Sequence, residues 1–552
     1  MSHSAFAKLA GMQEAVSQRP EAPVGGSGRY FGLATRLRAE APTLTDCAVA
    51  TVSAALLVFS FPDFNLSALA WIALVPLLLI ISRKPQTWRC FFTGWLFGSI
   101  FFYGSCYWLT YSMIHFGGLP SALAFIILVP GAVVMGLFPA MFAALLARAV
   151  RSFGTAGLLI APVFWVALEW ARLETTGQLW NAIGYSQAYH PSMIQLASLG
   201  GVYAVSFLVV SINAAFAFAL LQRSARAFVG SACAVGILFL TAMFLPGVSR
   251  FNQLPSSNVS TATVVAIQPN VPMDLIKPAE EMAQLTNRHF EMSEAALKAL
   301  PNDGQPRLLI WPESPMNFTY GTDSSLRDRV AQLAKAHHTS ILLNSQEVAP
   351  NDGVFNSAVL INEAGGLVAQ YDKIRLLPFG EYDPLPQWFP GAGLIKAIVG
   401  DFTPGTNYRL MPVGNIRAGV FICIESAYPA IARRFTSEGA DVLINISNDG
   451  YLGPTAVMKQ HLANAVFRAV ENQRPVLRVT NSGITAFIKP SGEVMNPTRG
   501  FTPEVRTWTI DSLAGAKSSF YTRRGDVFVI TCAGLSLVMF GLSFWRLRAR
   551  PS

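Results

Sequence analysis

Cys423 is the one cysteine of six that lies outside the apolar segments long enough to span a membrane. It falls in the run GVFICIES at positions 419–426. A lone thiol that ends an apolar strand in a mixed α/β region is a candidate nucleophile. A structural cysteine buried in the core is the alternative, and the local run alone does not exclude it.

Two more polar side chains follow predicted strands, where functional groups collect in α/β proteins. Glu313 ends the run LLIWPE at 308–313, and Lys373 lies in the run QYDKIR at 370–375, which continues from a strand predicted at 367–371. A free thiol titrates at about pH 8.5, so a nucleophilic cysteine needs a base and a positive charge nearby. Glu313 could supply the base and Lys373 the charge. Both residues also have a simpler interpretation. Glu313 could cap a helix, and Lys373 could be a solvated surface charge.

Alternating strand and helix patterns in region 261–513 must position these three residues. Strands are predicted at 261–267, 307–311, 340–344, 358–361, 367–371, 419–424, 442–446, 476–480 and 486–488. Helices are predicted at 278–299, 323–337, 429–437 and 455–472. This mixture favours an α/β sandwich with more than one sheet over a simple βαβ repeat.

The remainder of the chain is strongly apolar. Of the 552 residues, 52% are hydrophobic and only 13% charged, whereas soluble domains carry about 25% charged residues. Runs of about 20 apolar residues suffice to cross a bilayer. Spans are predicted at 45–61, 65–82, 90–116, 122–148, 156–172, 198–221, 227–247 and 526–545. The predicted organisation is therefore a disordered cytoplasmic leader (1–44), a seven-helix membrane domain (45–247), a linker (248–260), the α/β domain (261–513), a second linker (514–525), an eighth membrane helix (526–545) and a basic tail (546–552).

Positive charges between the spans predict the orientation. Lys and Arg residues precede the first span, lie between the second and third, the fourth and fifth, and the sixth and seventh, and follow the eighth. The intervening connections carry none, except near Arg172. By the positive-inside rule both termini are cytoplasmic, and seven crossings place region 261–513 on the opposite side. The net charge of +9 is thus explained by topology, with no basic surface for nucleic acid.

Longer motifs occur in both halves of the chain. Those in the α/β region are WPE (311–313), YDK (371–373), PFGEY (378–382), CIE (423–425), SNDGY (447–451), RPVLR (474–478) and TNSG (480–483). Those in the membrane half are GWLFG (94–98), YW (107–108), EW (169–170) and GVY (201–203). With these motifs the α/β region resembles the nitrilase superfamily, and the attached membrane half makes the chain similar to the apolipoprotein N-acyltransferase family. The resemblance covers about residues 45–546.

The resemblance implies a nitrilase-like αββα sandwich and acyl transfer in a bacterial inner membrane. An acyl chain would pass from a phospholipid to a thioester on Cys423, and then to the N-terminal amine of a diacylated apolipoprotein. Glu313 would act as base, and Lys373 with the N–H of Ile424 would bind the oxyanion. No cofactor or metal is implied, and a monomer with its catalytic domain in the periplasm is expected.

Further residues receive roles from the same resemblance. Glu381 is expected to orient the lysine, and Glu425 to support the segment after the nucleophile, with turn capping as the alternative for both. Departures from the family pattern occur at Ile424, where tyrosine is common, and in the segment GYLG at 450–453, which contains Tyr451 and replaces a Trp-Phe-Gly continuation. A third departure is the lack of a tryptophan near 276–277, soon after IQPNVP at 267–272. All three affect aromatic side chains expected to line the substrate pocket, so Tyr451 is assigned to substrate binding.

An apolar stretch broken by Pro and Gly, 384–400, contains Trp388 and Phe389. Such a stretch would be a liability in water but suits a membrane interface, so it is predicted to flank a lipid entrance. A loop buried against the domain is the alternative.

Two other functions stay open on the sequence alone. The same three residues would serve a membrane-tethered carbon–nitrogen hydrolase, in which water accepts the acyl group. A lipoprotein-binding scaffold without turnover is the other alternative.

Overall fold

The computed structural model describes residues 41–226, 260–274, 277–384, 400–512 and 518–548, with short helical pieces between 229 and 240. The predicted leader up to residue 40, most of the seventh span, nearly all of the 248–260 linker and the apolar stretch 385–399 lie outside the described residues. Predictions that fall on these segments therefore stay predictions.

The membrane half is helical. Its α-helices are α1 (Leu44–Phe59), α2 (Val75–Arg83), α3 (Thr87–Ser105), α4 (Leu109–His115), α5 (Ser121–Phe153), α6 (Ala161–Thr176) and α7 (Ala197–Gln222). The predicted span 90–116 is divided, because α3 ends at Ser105 and the short α4 follows. In the described part, the segments long and apolar enough to cross a membrane are Ser121–Thr176, Ala197–Gln222 and Val527–Leu547. The count of eight crossings stays a prediction.

Small residues let α3 and α5 pack closely. A Cβ atom built on Gly94 would lie 2.6 Å from the Cβ of Ala143, and one on Gly98 would lie 2.9 Å from the Cα of Gly136. No larger residue fits such contacts without a backbone shift. Close backbone approach at small residues is how membrane helices associate where lipid removes the hydrophobic driving force.

The α/β region forms two six-stranded mixed sheets, ordered β12-β1-β2-β3-β4-β5 and β11-β10-β9-β8-β7-β6. The strands are β1 (Thr261–Gln268), β2 (Arg307–Ile310), β3 (Ser340–Val348), β4 (Val354–Ile361), β5 (Leu367–Asp372), β6 (Leu410–Val413), β7 (Ile416–Ile422), β8 (Val442–Ser447), β9 (Val476–Thr480), β10 (Ala486–Ile488), β11 (Val494–Met495) and β12 (Glu504–Asp511). The two-sheet prediction is confirmed. Sequence reasoning missed β6, β11 and β12, which lie at or beside the sheet edges.

Helices cover the outer faces and complete an αββα sandwich. Helices α8 (Ala279–Lys298) and α9 (Ser324–Ala336) pack on the first sheet, and α10 (Pro429–Ser437) and α11 (Val457–Asn472) pack on the second. The inner faces share one core in which Leu308 and Ala358 join Val420 and Ile444. Two helices end the described chain, α12 (Phe520–Arg524), inside the predicted second linker, and α13 (Val527–Arg548).

Helix α11 joins the two halves. Every residue from Gln460 to Asn472 is buried, because the helix lies between the second sheet and the membrane half. Arg468 donates to the hydroxyl of Tyr185 at 3.2 Å, and Glu471 accepts from the backbone N–H of Val202 at 2.9 Å. Polar contacts thus fix the sandwich on the membrane helices along most of α11.

Candidate active site

Cys423 begins a sharp turn directly after β7. Its φ is +52°, in the left-handed region that non-glycine residues rarely adopt. A 3₁₀ helix, Cys423–Ala427, starts at this position. The turn carries the partly buried thiol off the end of the strand.

The structure brings the three predicted residues into one pocket at the strand ends. Glu313 follows β2 and Lys373 follows β5. The ammonium nitrogen of Lys373 lies 3.6 Å from Glu313 Oε1, and the Lys373 side chain is only 1% exposed. The thiol of Cys423 lies near enough to Glu313 for a hydrogen-bonding interaction that lowers the pKa of the carboxyl group. A carboxylate, an ammonium and a thiol therefore lie close together in a largely buried space.

Burial and charge set the protonation states here. Burial opposes the charge on Lys373, but Glu381 and Glu313 outweigh it and raise its pKa, so the ammonium stays protonated. Burial raises the pKa of Glu313 although Lys373 pulls it down. Burial and the Glu313 carboxylate raise the pKa of Cys423. The resting cysteine is thus a thiol that needs a base, with Glu313 placed beside it.

Glu381 and Asn356 hold this pair of charges. Glu381 Oε1 lies 2.7 Å from the Lys373 ammonium. The Asn356 amide donates to Glu381 at 2.7 Å and to Glu313 at 2.9 Å, and its own oxygen accepts from Asn344 at 2.7 Å. The placement of Glu381 agrees with its predicted role beside the lysine. Sequence reasoning missed Asn356, although an asparagine in the mostly apolar β4 was a usable signal.

Glu425 links the segments that follow the lysine and the cysteine. Its carboxylate is fully buried. Its donors, at 2.7–3.0 Å, are the backbone N–H groups of Ile422, Ile374 and Arg375 and the hydroxyl of Tyr371. Burial raises the pKa of Glu425 to about 7, although these hydrogen bonds act to lower it. The residue both caps the turn and ties two segments together, so the two interpretations of Glu425 coexist.

A buried polar network behind Cys423 was also missed. Arg478 donates to both carboxylate oxygens of Asp449 at 2.9 and 2.7 Å. Burial would raise the pKa of Asp449, but Arg478 and His461 outweigh it and hold the pKa well below its usual range. His461 Nδ1 lies 2.8 Å from Asp449, and Nε2 lies 3.0 Å from the carbonyl oxygen of Cys423. In the described chain no cluster of three or more His, Cys, Asp or Glu is placed to hold a metal ion.

The structure describes two of the residues predicted to line the substrate pocket and leaves two outside the described residues. Ile424 is buried beside the nucleophile. Tyr451 stacks on Phe116 from the membrane half, with ring centroids 5.0 Å apart and planes 10° from parallel. Trp388 and Phe389 lie outside the described residues.

The membrane half reaches the nucleophile through two tryptophans. Trp108 and Trp180 share an apolar cluster with Cys423 and Ile424. Their indole N–H groups donate to Gln460 Oε1 at 3.0 and 2.8 Å. Cys423 therefore packs against a cluster that includes side chains from the connections between the membrane helices.

Sequence comparison agrees with both halves of this architecture. Residues 53–215 match the apolipoprotein N-acyltransferase N-terminal domain, and residues 261–517 match the carbon-nitrogen hydrolase domain. An apolipoprotein N-acyltransferase from Geobacter metallireducens is 32% identical over 91% of this chain and 96% of its own length. A second, from Chlorobaculum tepidum, is 26% identical over 93% of this chain and 98% of its own.

Solved structures similar to the α/β half include nitrilase-superfamily proteins. Nit3 of Saccharomyces cerevisiae covers 49% of this chain and 94% of its own, at 18% identity and a TM-score of 0.36. An amidase from Nesterenkonia sp. covers 49% and 95%, at 16% identity and a TM-score of 0.35. The family models and the full-length relatives, taken with the two sheets, show that this chain belongs to the apolipoprotein N-acyltransferase family, a family of membrane acyltransferases.

Proposed function

We propose that this protein transfers an acyl chain from a membrane phospholipid to the N-terminal amine of a diacylated apolipoprotein, through a thioester on Cys423. The observation that carries the proposal is the grouping of Cys423 with Glu313 and Lys373 at the strand ends, where Glu313 Oε1 lies 3.6 Å from the Lys373 ammonium and the thiol interacts with the Glu313 carboxyl. This arrangement supplies a nucleophile, a base and a positive charge in one pocket.

In the first half-reaction Glu313 takes the proton of the Cys423 thiol as the sulfur attacks the ester carbonyl of the phospholipid. The C–O bond then breaks, and Glu313 returns the proton to the departing lysophospholipid oxygen. The acyl group remains on sulfur as a thioester. Because burial and Glu313 raise the pKa of the thiol, proton removal coincides with attack rather than preceding it.

In the second half-reaction the amine of the apolipoprotein attacks the thioester carbonyl. Glu313 accepts a proton from the amine, the C–S bond breaks, and the proton returns to the sulfur of Cys423. The products are an amide-linked third acyl chain and the original enzyme, as a ping-pong cycle requires.

Both half-reactions place negative charge on the carbonyl oxygen. Lys373 supplies a positive charge to stabilise this oxygen, because Glu381 at 2.7 Å and Glu313 at 3.6 Å keep the ammonium charged and fixed in position. The N–H of Ile424 lies in the first turn of the 3₁₀ helix, where N–H groups have no acceptor within the helix. Together they would form the oxyanion hole.

The position of the pocket favours a reaction on a membrane lipid over the hydrolysis of a water-soluble substrate. Cys423 packs in one apolar cluster with Trp108 and Trp180, and Tyr451 stacks on Phe116. A hydrolase of soluble amides would need neither contact. We further infer a monomer with both termini cytoplasmic and the sandwich on the periplasmic face, as the loop charges predict.

A transfer assay tests the function. Purified protein in detergent is mixed with phospholipid carrying a labelled acyl chain and with a synthetic diacylated lipopeptide. We expect label in a triacylated lipopeptide, and none with an N-acetylated lipopeptide whose amine is blocked. Release of labelled free fatty acid alone would instead identify a hydrolase, and no turnover would favour a scaffold.

A further inference from the structure

The backbone at Cys423 is held by two side-chain donors. The carbonyl oxygen of Cys423 lies 3.0 Å from His461 Nε2 and 3.3 Å from the Asn445 amide nitrogen. The carbonyl oxygen has no proton to give, so His461 is the donor in its contact. These bonds hold Cys423 at a φ of +52°, which is unfavourable for any residue other than glycine.

The same peptide unit contains the N–H of Ile424. In a trans peptide the C=O and the N–H point in opposite directions within one plane. A donor that fixes the Cys423 carbonyl therefore also fixes the direction of the Ile424 N–H. Hydrogen bonding to the carbonyl polarises the peptide and makes its N–H a stronger donor.

The two donors are themselves anchored. Arg478 binds both oxygens of Asp449 and donates to the Asn445 side-chain oxygen at 2.5 Å. Asp449 in turn binds His461 Nδ1 at 2.8 Å. Arg478 and His461 are fully or almost fully buried. One buried guanidinium therefore sets the orientation of both groups that hold the carbonyl.

The membrane half fixes the helix that carries His461. The neighbouring Gln460 accepts from the indoles of Trp108 and Trp180. Its amide nitrogen donates to the carbonyls of Pro62 and Ser105, both at 3.0 Å. The position of His461 relative to the nucleophile thus depends on membrane helices as well as on the sandwich.

We propose that His461 is a positioning residue that aims and polarises the peptide between Cys423 and Ile424, so that the Ile424 N–H can bind the oxyanion. This inference rests on the proposed function, because it concerns the same thioester chemistry. It assigns His461 no contact with substrate.

Both atoms that face the ring, Asp449 Oδ1 and the Cys423 carbonyl oxygen, accept hydrogen bonds, so both contacts are hydrogen bonds only when both ring nitrogens carry a proton. Burial and the Arg478 guanidinium lower the pKa of His461, while Asp449 and the Cys423 carbonyl oppose that shift. The geometric requirement is a donor at the Nε2 position, which a neutral side chain can also supply.

A matched pair of variants isolates this donor. His461→Gln keeps a side-chain nitrogen three bonds from Cβ, where Nε2 stands. His461→Asn places its nitrogen two bonds from Cβ, on the Asp449 side. Two rates are measured for Cys423 by peptide mass spectrometry, namely single-turnover acylation by a phospholipid and alkylation by iodoacetamide. Alkylation develops no oxyanion, so it reports the thiol alone.

We expect His461→Asn to slow acylation roughly 10- to 100-fold, short of the ~10²–10³-fold loss typical when an oxyanion donor itself is removed. Alkylation should stay within about twofold, and His461→Gln should recover most of the acylation rate. Should His461→Asn fail to fold, Asn445→Ala removes the other donor to the same carbonyl and should likewise slow acylation selectively.

Equal acylation rates in the Asn and Gln variants, or a proportional loss of acylation and alkylation, would overturn the inference. A wild-type protein that is alkylated at Cys423 but never acylated would overturn the proposed function, and this inference with it.

Discussion

Trp108 of the membrane half donates its indole N–H to Gln460 of the sandwich at 3.0 Å, although the two residues are 352 positions apart in the chain. Gln460 directly precedes His461, whose ring lies against the carbonyl of the nucleophile. The membrane helices therefore do more than anchor the sandwich. They fix the helix that lies behind Cys423.

Replacing Gln460 should loosen this junction. Gln460→Met keeps the side-chain length but removes the partner of the Trp180 indole N–H and of the Pro62 carbonyl. The Trp108 indole N–H and the Ser105 carbonyl keep their bond to each other at 3.1 Å. Each unpaired buried group costs about 1–3 kcal/mol, so a loss of about 2–6 kcal/mol is expected. The measurement is the unfolding transition in detergent, with Lys489→Met as the exposed control. An unchanged transition would show that the junction does not depend on Gln460.

The local sequence predicted the site residues that directly follow strands. Glu313, Lys373 and Cys423 each follow a run whose pattern predicts a strand, and the structure brings all three together at the strand ends. The sheet edges were harder, because Leu410–Val413 and Val494–Met495 are too short to show a period.

The partners of Asn356 and His461 could not be predicted, because they are distant in sequence. Asn356 joins Glu313, 43 positions away, and His461 reaches Cys423 across 38 positions. Nothing in the local sequence of either residue identifies its partner. Only the packing of the sheets against each other and against α11 brings these groups together.

Lys373 should tolerate no substitution, including arginine. Its side chain is 1% exposed and its ammonium lies 2.7 Å from Glu381. The larger planar guanidinium does not match a compact ammonium. We expect Lys373→Arg to lower the acyl-transfer rate by about 100-fold or more, with Lys489→Arg as the exposed control. Turnover at the wild-type rate in Lys373→Arg would rule out the need for a compact charge.

The pH dependence of acylation should report Glu313. The base must be ionised, and burial raises its pKa above the ordinary 4.5. The acylation rate should therefore increase with pH through a value above 4.5 and then level off. Glu313→Gln should remove this limb and lower the rate by roughly 10²–10⁴-fold. An acid limb that persists in Glu313→Gln would assign the titration to another group.

Stability should decrease with increasing pH because of Glu425. Its pKa is about 7 in the folded protein against an ordinary value of 4.5, so the folded state retains a proton that the unfolded chain has lost. This contribution is complete below about pH 4.5 and is lost as the pH increases to about 7. The shift corresponds to about 3 kcal/mol. Urea unfolding across this window should show a negative slope that Glu425→Gln reduces. Parallel pH profiles for the two proteins would contradict the assignment.

The thioester on Cys423 tests the central claim most directly. The protein is incubated with phospholipid in the absence of acceptor and its mass is measured intact, before and after addition of a diacylated lipopeptide. We predict a gain of one acyl chain on the peptide that contains Cys423, sensitive to hydroxylamine and removed by the lipopeptide as the triacylated product forms. Cys423→Ala should gain no mass, whereas Cys233→Ala, which replaces an exposed cysteine elsewhere, should behave as wild type. Transfer to the lipopeptide without any acyl group on Cys423 would contradict the account.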